Sequence, residues 1–250
     1  MKVFTAALCG ALYMIAAISP ASADNKRTPV LVELFTSEGC NDCPPANDVL
    51  TELSKRQTVP GAYIVALGEH VDYFNRPWVD RFSSTRFTAR QQTYAQQFRL
   101  DEVYTPEMIV DGRTEFVGSD AGKAASAVAA AADRPHATVD VSIQPGVETG
   151  EVVAHVHASG VSGGQPYLFI AVTEDNLVSH VGSGENAGAT LHHSGVVRTL
   201  QRLAEVNGGS VDDNLPVKIE RGWNRSNLHI VAFVQDIADG AILGTGITDI

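Results

Sequence analysis

The residues best suited to chemistry in this 250-residue chain are Cys40 and Cys43, in the run Gly39-Cys40-Asn41-Asp42-Cys43-Pro44-Pro45. They follow the apolar run Val30-Leu31-Val32-Glu33-Leu34-Phe35. They precede Ala46, Val49, Leu50 and Leu53, which recur at i, i+3, i+4 and i+7, the helical period. A strand therefore hands over to a helix at the cysteines. The free N–H groups of a helix start, and the dipole behind them, favour an anion. A thiolate is such an anion and is the reactive form of cysteine. Two thiols one turn apart can open and close as a small disulfide ring, the chemistry of thiol–disulfide exchange.

Other uses of the pair fit less well. Met1 to Ala23 reads as an export signal: Lys2 is positive, Ala6 to Ile18 is apolar, and Pro20-Ala21-Ser22-Ala23 ends in the small-x-small pattern of a cleavage site. The protein is then periplasmic or secreted, and Cys9 leaves with the signal. No other run reaches spanning length, so the mature chain is expected not to cross a membrane. Two cysteines three apart close too small a loop to constrain the unfolded chain much. A zinc site would want two further soft ligands nearby. Neither a cofactor nor a resident metal is expected. The formal net charge of −11, which loses Lys2 on cleavage, argues against nucleic acid and anionic lipid as partners.

The elements around the pair follow in order. Ala62 to Leu67 is continuously apolar, as in a strand covered on both faces. Thr85 to Phe98 has helical spacing, and Met108-Ile109-Val110 leads through the hairpin signal Asp111-Gly112 into Arg113 to Val117. Ser119 or Asp120 caps an Ala-rich helix to about Ala132. This order, with Cys-x-x-Cys after the first strand and Thr105-Pro106 before the third, resembles the thioredoxin fold. The resemblance implies a cis proline at Pro106 facing the dithiol and a Thr105–Pro106 backbone that pairs with a bound substrate chain. Beyond Asp133-Arg134-Pro135-His136 the period turns alternating, in strand-like runs separated by Gly- and Asn-rich turns. The expected architecture is thus an α/β thioredoxin-like domain over residues 24–134 and an all-β sandwich-like domain over 135–250. The run from Gly195 to Val206 is ambiguous between strand and helix.

A longer likeness covers nearly the whole mature chain. Val32 to Cys40 with Cys43-Pro44-Pro45-Ala46, His70-Val71-Asp72-Tyr73, Arg90-Gln91, Thr105-Pro106, Gly184 to Gly188 and Val196-Val197-Arg198 resemble an uncharacterised family of secreted bacterial proteins. In that family a thioredoxin-like domain precedes a β-rich one. The likeness implies compartment and fold but no substrate.

Cys40 is the expected nucleophile and Cys43 the resolving thiol. Asp42 sets a negative charge beside the sulfurs, and Pro44-Pro45 delays the regular helix until after Cys43. Both oppose the dipole, raise the thiolate pKa and favour the disulfide, so the couple lies on the reducing side. Glu33 is either an acid for the Cys43 proton or a structural residue on the opposite strand face. His70 is either a base or soft-metal ligand or a hydrogen-bonded structural residue. His155 and His157 fit a solvated sheet face better than a metal pair. The partners implied are protein or small-molecule disulfides and, for a reducing couple in an oxidising compartment, a membrane electron donor. Two other readings remain: a copper chaperone using Cys40, Cys43 and His70, and a redox-inert binding module.

Overall fold

The structure is a computed structural model and describes Met1 and residues 27–250; the expected export signal, with Cys9, lies outside the described residues. β1 (Thr28–Thr36) and β2 (Ala62–His70) run parallel, paired from Thr28 with Ala62 to Thr36 with His70, and helix α1 (Pro44–Arg56) joins them. α1 begins at its prolines, where a missing N–H costs nothing. Alternation splits β1 between two faces. Val30, Val32 and Leu34 pack beneath Ala46, Leu50 and Leu53 of α1. Leu31 and Phe35 face the other way, toward α2 (Thr85–Phe98), against Phe87 and Tyr94 respectively. Ser84 caps α2 by accepting from the Arg86 N–H.

β3 (Glu107–Val110) pairs antiparallel with the free edge of β1 and with β4 (Thr114–Val117). The turn between them needs positive φ at both Asp111 (48°) and Gly112 (63°), the geometry Asp-Gly supplies. Helix α3 (Ala121–Ala132), capped by Asp120, covers the same face as α1.

The remaining strands are β5 (Thr138–Pro145), β6 (Glu151–Ser159), β7 (Pro166–Glu174), β8 (Leu177–His180), β9 (Thr190–His193), β10 (Val196–Glu205), β11 (Ser210–Lys218), β12 (Leu228–Asp236) and β13 (Ile242–Asp249). β10 resolves the ambiguous Gly195–Val206 stretch as strand. β8 and β9 form a small ribbon that the sequence pattern did not suggest.

The expected fold class is not what forms. Instead of an α/β thioredoxin-like domain and a separate β-sandwich, one mixed sheet of eight strands, ordered β13-β12-β7-β10-β2-β1-β3-β4, runs through both halves of the chain. Among the described residues strand outweighs helix by 43% to 20%, a mostly-β arrangement with three α-helices. The cause is the outer edge of β2. Rather than ending the sheet, it meets β10 in parallel, Val196 beside Gly68, with the Gly68 N–H donating to Gly195 O at 2.7 Å. β7, β12 and β13 continue the sheet from there. β5, β6 and β11 form a second, three-stranded layer. Leu168, Ile170, Ile230 and Val234 of the large sheet bury against Val152, Ala154 and Val156 of the small one. On the other face Phe169 and Phe233 stack at 5.1 Å and join the core beneath α2. Burying such side chains contributes about 1.5–3 kcal/mol each, so both layers hold the large sheet in place.

Candidate functional site

Cys40 and Cys43 are closed as a disulfide, Cα atoms 5.4 Å apart, at the mouth of α1. Within the turn, Cys40 N–H donates to Ser37 O, Cys43 N–H to Cys40 O, and Ala46 and Asn47 N–H to Cys43 O. The Thr105–Pro106 bond is cis, and Thr105 O lies 3.9 Å from Cys40 Sγ. The cysteines and the Thr105-Pro106 pair, 65 residues apart in sequence, therefore form one site.

The site is covered. Cys43 is fully buried and Cys40 is 2% exposed. The cover comes from two segments. The β8–β9 loop folds across the turn, where the Asn186 amide donates to Glu38 O (2.9 Å) and Cys40 O (2.8 Å). Glu185 accepts from the Asn41 N–H at 3.2 Å. From the other side comes the aromatic stretch after β2. Trp78 Nε1 donates to Glu38 Oε2 at 2.7 Å. Gly39 has no room for a side chain, since a Cβ there would stand 2.7 Å from Phe74 O.

Beneath the turn lies a buried polar cluster. His70 Nδ1 meets Asp80 Oδ2 at 2.6 Å, and the same oxygen accepts from the Glu38 N–H, tying the dithiol loop to the end of β2. Burial pushes the Asp80 carboxyl up, but His70 and the backbone donors of Glu38 and Phe82 together hold it below the ordinary range. Glu38, also buried, stays below its usual value for the same kind of reason: His193, Ser179 and Trp78 outweigh the cost of burial. His193 Nε2 stands 3.4 Å from Glu38 Oε1. Burial pushes the His193 pKa down despite that carboxylate, so the ring is neutral near pH 7. His193 packs edge-on against His70 at 5.0 Å and Phe82 at 5.6 Å.

Other expected site residues lie elsewhere. Glu33 faces α2, away from α1. Its carboxylate accepts from Arg90 Nε and the Tyr94 hydroxyl, both at 2.6 Å. It therefore lies on the strand face opposite the one that packs beneath α1. Asp42 is exposed beside Cys43, so its charge is set largely in water. His70 uses Nδ1 on Asp80. Among the described residues no group of three or more His, Cys, Asp and Glu is disposed to hold a metal. His155 and His157 lie on a partly exposed face of β6 and share Asp212 of β11, at 2.9 and 3.0 Å.

Sequence reasoning missed several members of the site: Glu38, Asp80, His193 and Asn186, and with them Glu107. Glu107 follows Pro106 and is fully buried, with Oε2 accepting from Gln91 at 2.7 Å. Burial raises its pKa to about 7, against the help of Gln91 and with a contribution from Glu115. The alternation Thr190-Leu191-His192-His193 was a usable signal for His193, since it places His193 on the face that buries Leu191.

Fold and site together define, over the described residues, a mostly-β protein of three sheets and three α-helices with a covered Cys-x-x-Cys at a helix start. Residues 31–235 match the family described as protein of unknown function (DUF1223), and the chain belongs to that family. It is similar to a protein from Agrobacterium tumefaciens whose crystal structure was determined as a structural genomics target. The two are 26% identical with a TM-score of 0.67, over 89% of this chain and 94% of that one. A domain of the outer membrane lipoprotein Omp28 from Porphyromonas gingivalis is 15% identical over 46% of this chain and 88% of its own, and its TM-score of 0.29 is too low to bear on the fold. No curated protein matches. No helix among the described residues is long and apolar enough to cross a membrane.

Proposed function

We propose that the protein is an exported thiol–disulfide oxidoreductase acting through Cys40 and Cys43. The observation that carries this is the pairing of the two cysteines at the start of α1 with the Thr105 carbonyl 3.9 Å from Cys40 Sγ. In the reduced protein the Cys40 thiolate attacks a substrate disulfide, forming a mixed disulfide and expelling one substrate thiolate. The Cys43 thiolate then attacks Cys40 Sγ, closing the protein disulfide and releasing the second substrate thiolate. Two electrons pass to the substrate, and the released thiolates take protons from solvent. A membrane dithiol donor would restore the reduced pair. The Thr105-Pro106 backbone would hold an extended substrate segment once the β8–β9 loop withdraws.

Charge around the sulfurs favours the reducing direction. Glu185 brings its carboxylate to the Asn41 N–H, next to Cys40 in sequence, and Glu38 is a buried carboxylate two residues away. Asp42 adds a more solvated charge. Each disfavours the thiolate and so favours the disulfide. The couple is expected near roughly −270 mV rather than roughly −120 mV. Burial of both sulfurs favours a second reading, a redox-inert disulfide on a binding protein.

One experiment separates them. The protein is equilibrated against glutathione mixtures and its redox state read by mass, and the single variants are tested for trapping. Cys43→Ser should accumulate mixed disulfides through Cys40 and Cys40→Ser should not. Equal trapping by both sinks the assignment of roles. A pair that never exchanges below unfolding conditions makes the inert reading correct.

A further inference from the structure

Between α2 and strands β7, β10 and β12 lies a cleft of about 670 Å3, whose walls include no residue of the dithiol turn. Clefts of that size take small organic molecules. Phe169 and Leu200 supply apolar wall. Three arginines reach the space: Arg86 and Arg90, one turn apart on α2, and Arg202 from β10.

Arg90 is fixed in place. Its Nε donates to Glu33, one terminal nitrogen to Gln235 Oε1 at 2.9 Å, and the other to the Tyr94 hydroxyl at 3.1 Å. The guanidinium rests over the rings of Tyr94, Phe169 and Phe233, 5.0 to 5.6 Å from their centroids. A guanidinium carries five N–H donors, so one on each terminal nitrogen is left over by these bonds. Arg86 and Arg202 are exposed and pair with no carboxylate among the described residues. The cleft wall itself carries no acid. Glu69 stands 3.4 Å from Arg90, and burial pushes its carboxyl well above the ordinary range, while Glu33 holds the direct 2.6 Å pair with Arg90. In a chain of net charge −11, an apolar cleft facing three arginines and no acid is a local reversal of sign.

We propose that this cleft is a binding site for a small organic carboxylate with an apolar or aromatic body, the carboxylate held among Arg86, Arg90 and Arg202 and the body against Phe169 and Leu200. Bidentate guanidinium–carboxylate contact gives the orientation, and the apolar wall of Phe169 and Leu200 gives the affinity.

The test uses the mature full-length protein and 2-naphthoate, with 2-naphthamide as the uncharged control, followed by titration calorimetry at low and high salt. Naphthoate should bind one to one and weaken with salt, and naphthamide should bind at least about tenfold more weakly. Arg202→Gln and Arg86→Gln, both surface changes, should each weaken naphthoate about tenfold, and Arg202→Glu should abolish binding. Equal binding of acid and amide, full affinity in the arginine variants, or no saturable binding at millimolar naphthoate would each overturn the proposal.

Discussion

Asn186 donates one side-chain amide to the carbonyl of Cys40 at 2.8 Å, across 146 residues of sequence. The same amide reaches Glu38 O, so a single residue from the second half of the chain fastens both sides of Gly39. Asn186→Ala leaves two carbonyls without that donor and should cost about 1–3 kcal/mol of stability. The larger effect should be on access. In the reduced protein the rate of Cys40 alkylation should rise several-fold, and an unchanged rate would mean that Asn186 does not hold the cover.

Glu107 couples stability to pH with the sign opposite to that of an ordinary acid. Its folded pKa of about 7 exceeds the unfolded value of 4.5. Between those values the folded state binds more protons, so its contribution is present below pH 4.5 and lost as pH rises through about 7. Glu107→Gln removes the buried charge. The variant should gain on the order of 1–3 kcal/mol over the parent at pH 8 and little at pH 5. Urea midpoints at the two pH values measure this, and equal shifts at both would contradict it.

His193 works in the other direction. Burial lowers its folded pKa below the unfolded 6.5. The unfolded state then binds the proton first, so stability is present above pH 6.5 and lost as pH falls through the depressed folded value. His193→Gln, which cannot take up the proton, should show a flatter decline on acidification from pH 6.5. Superimposable slopes in parent and variant would assign the acid sensitivity to other groups.

Arg90 holds the Glu33 charge inside the protein. Arg90→Met leaves that carboxylate buried with only Tyr94, at a cost of about 3–5 kcal/mol. Adding Glu33→Leu should recover most of the loss, because the pair is then replaced by apolar volume. A double variant no more stable than the single one would show that the pair is not energetically linked.

The sequence made local structure plain wherever one signal acted over a few residues. The helical spacing from Thr85 to Phe98, the Asp111-Gly112 turn and the Asp120 cap each lie where their chemistry requires. The Cys-x-x-Cys turn was legible for the same reason, whereas the nearness of Thr105-Pro106, 65 residues on, was suggested only by the resemblance. The continuity of the large sheet was not. It depends on one pairing, Val196 with Gly68, between segments far apart, and on Gly195 being admitted where a Cβ would stand 2.7 Å from Ala66 O. In the sequence that glycine is only a turn residue. The polar cluster was hidden too, because Glu38, Asp80 and His193 are residue types expected on the surface and become interior only through partners supplied by distant strands.

The cover over the disulfide also orders events in time. The chain is synthesised from its N-terminus, so Cys40 and Cys43 are in place long before Asn186 exists to shield them. Every molecule therefore passes through a stage in which the Cys40–Cys43 pair lacks the cover that Asn186 supplies. Completion of the β8–β9 ribbon ends that stage, so the second half of the polypeptide sets when the cysteines of the first half are shielded.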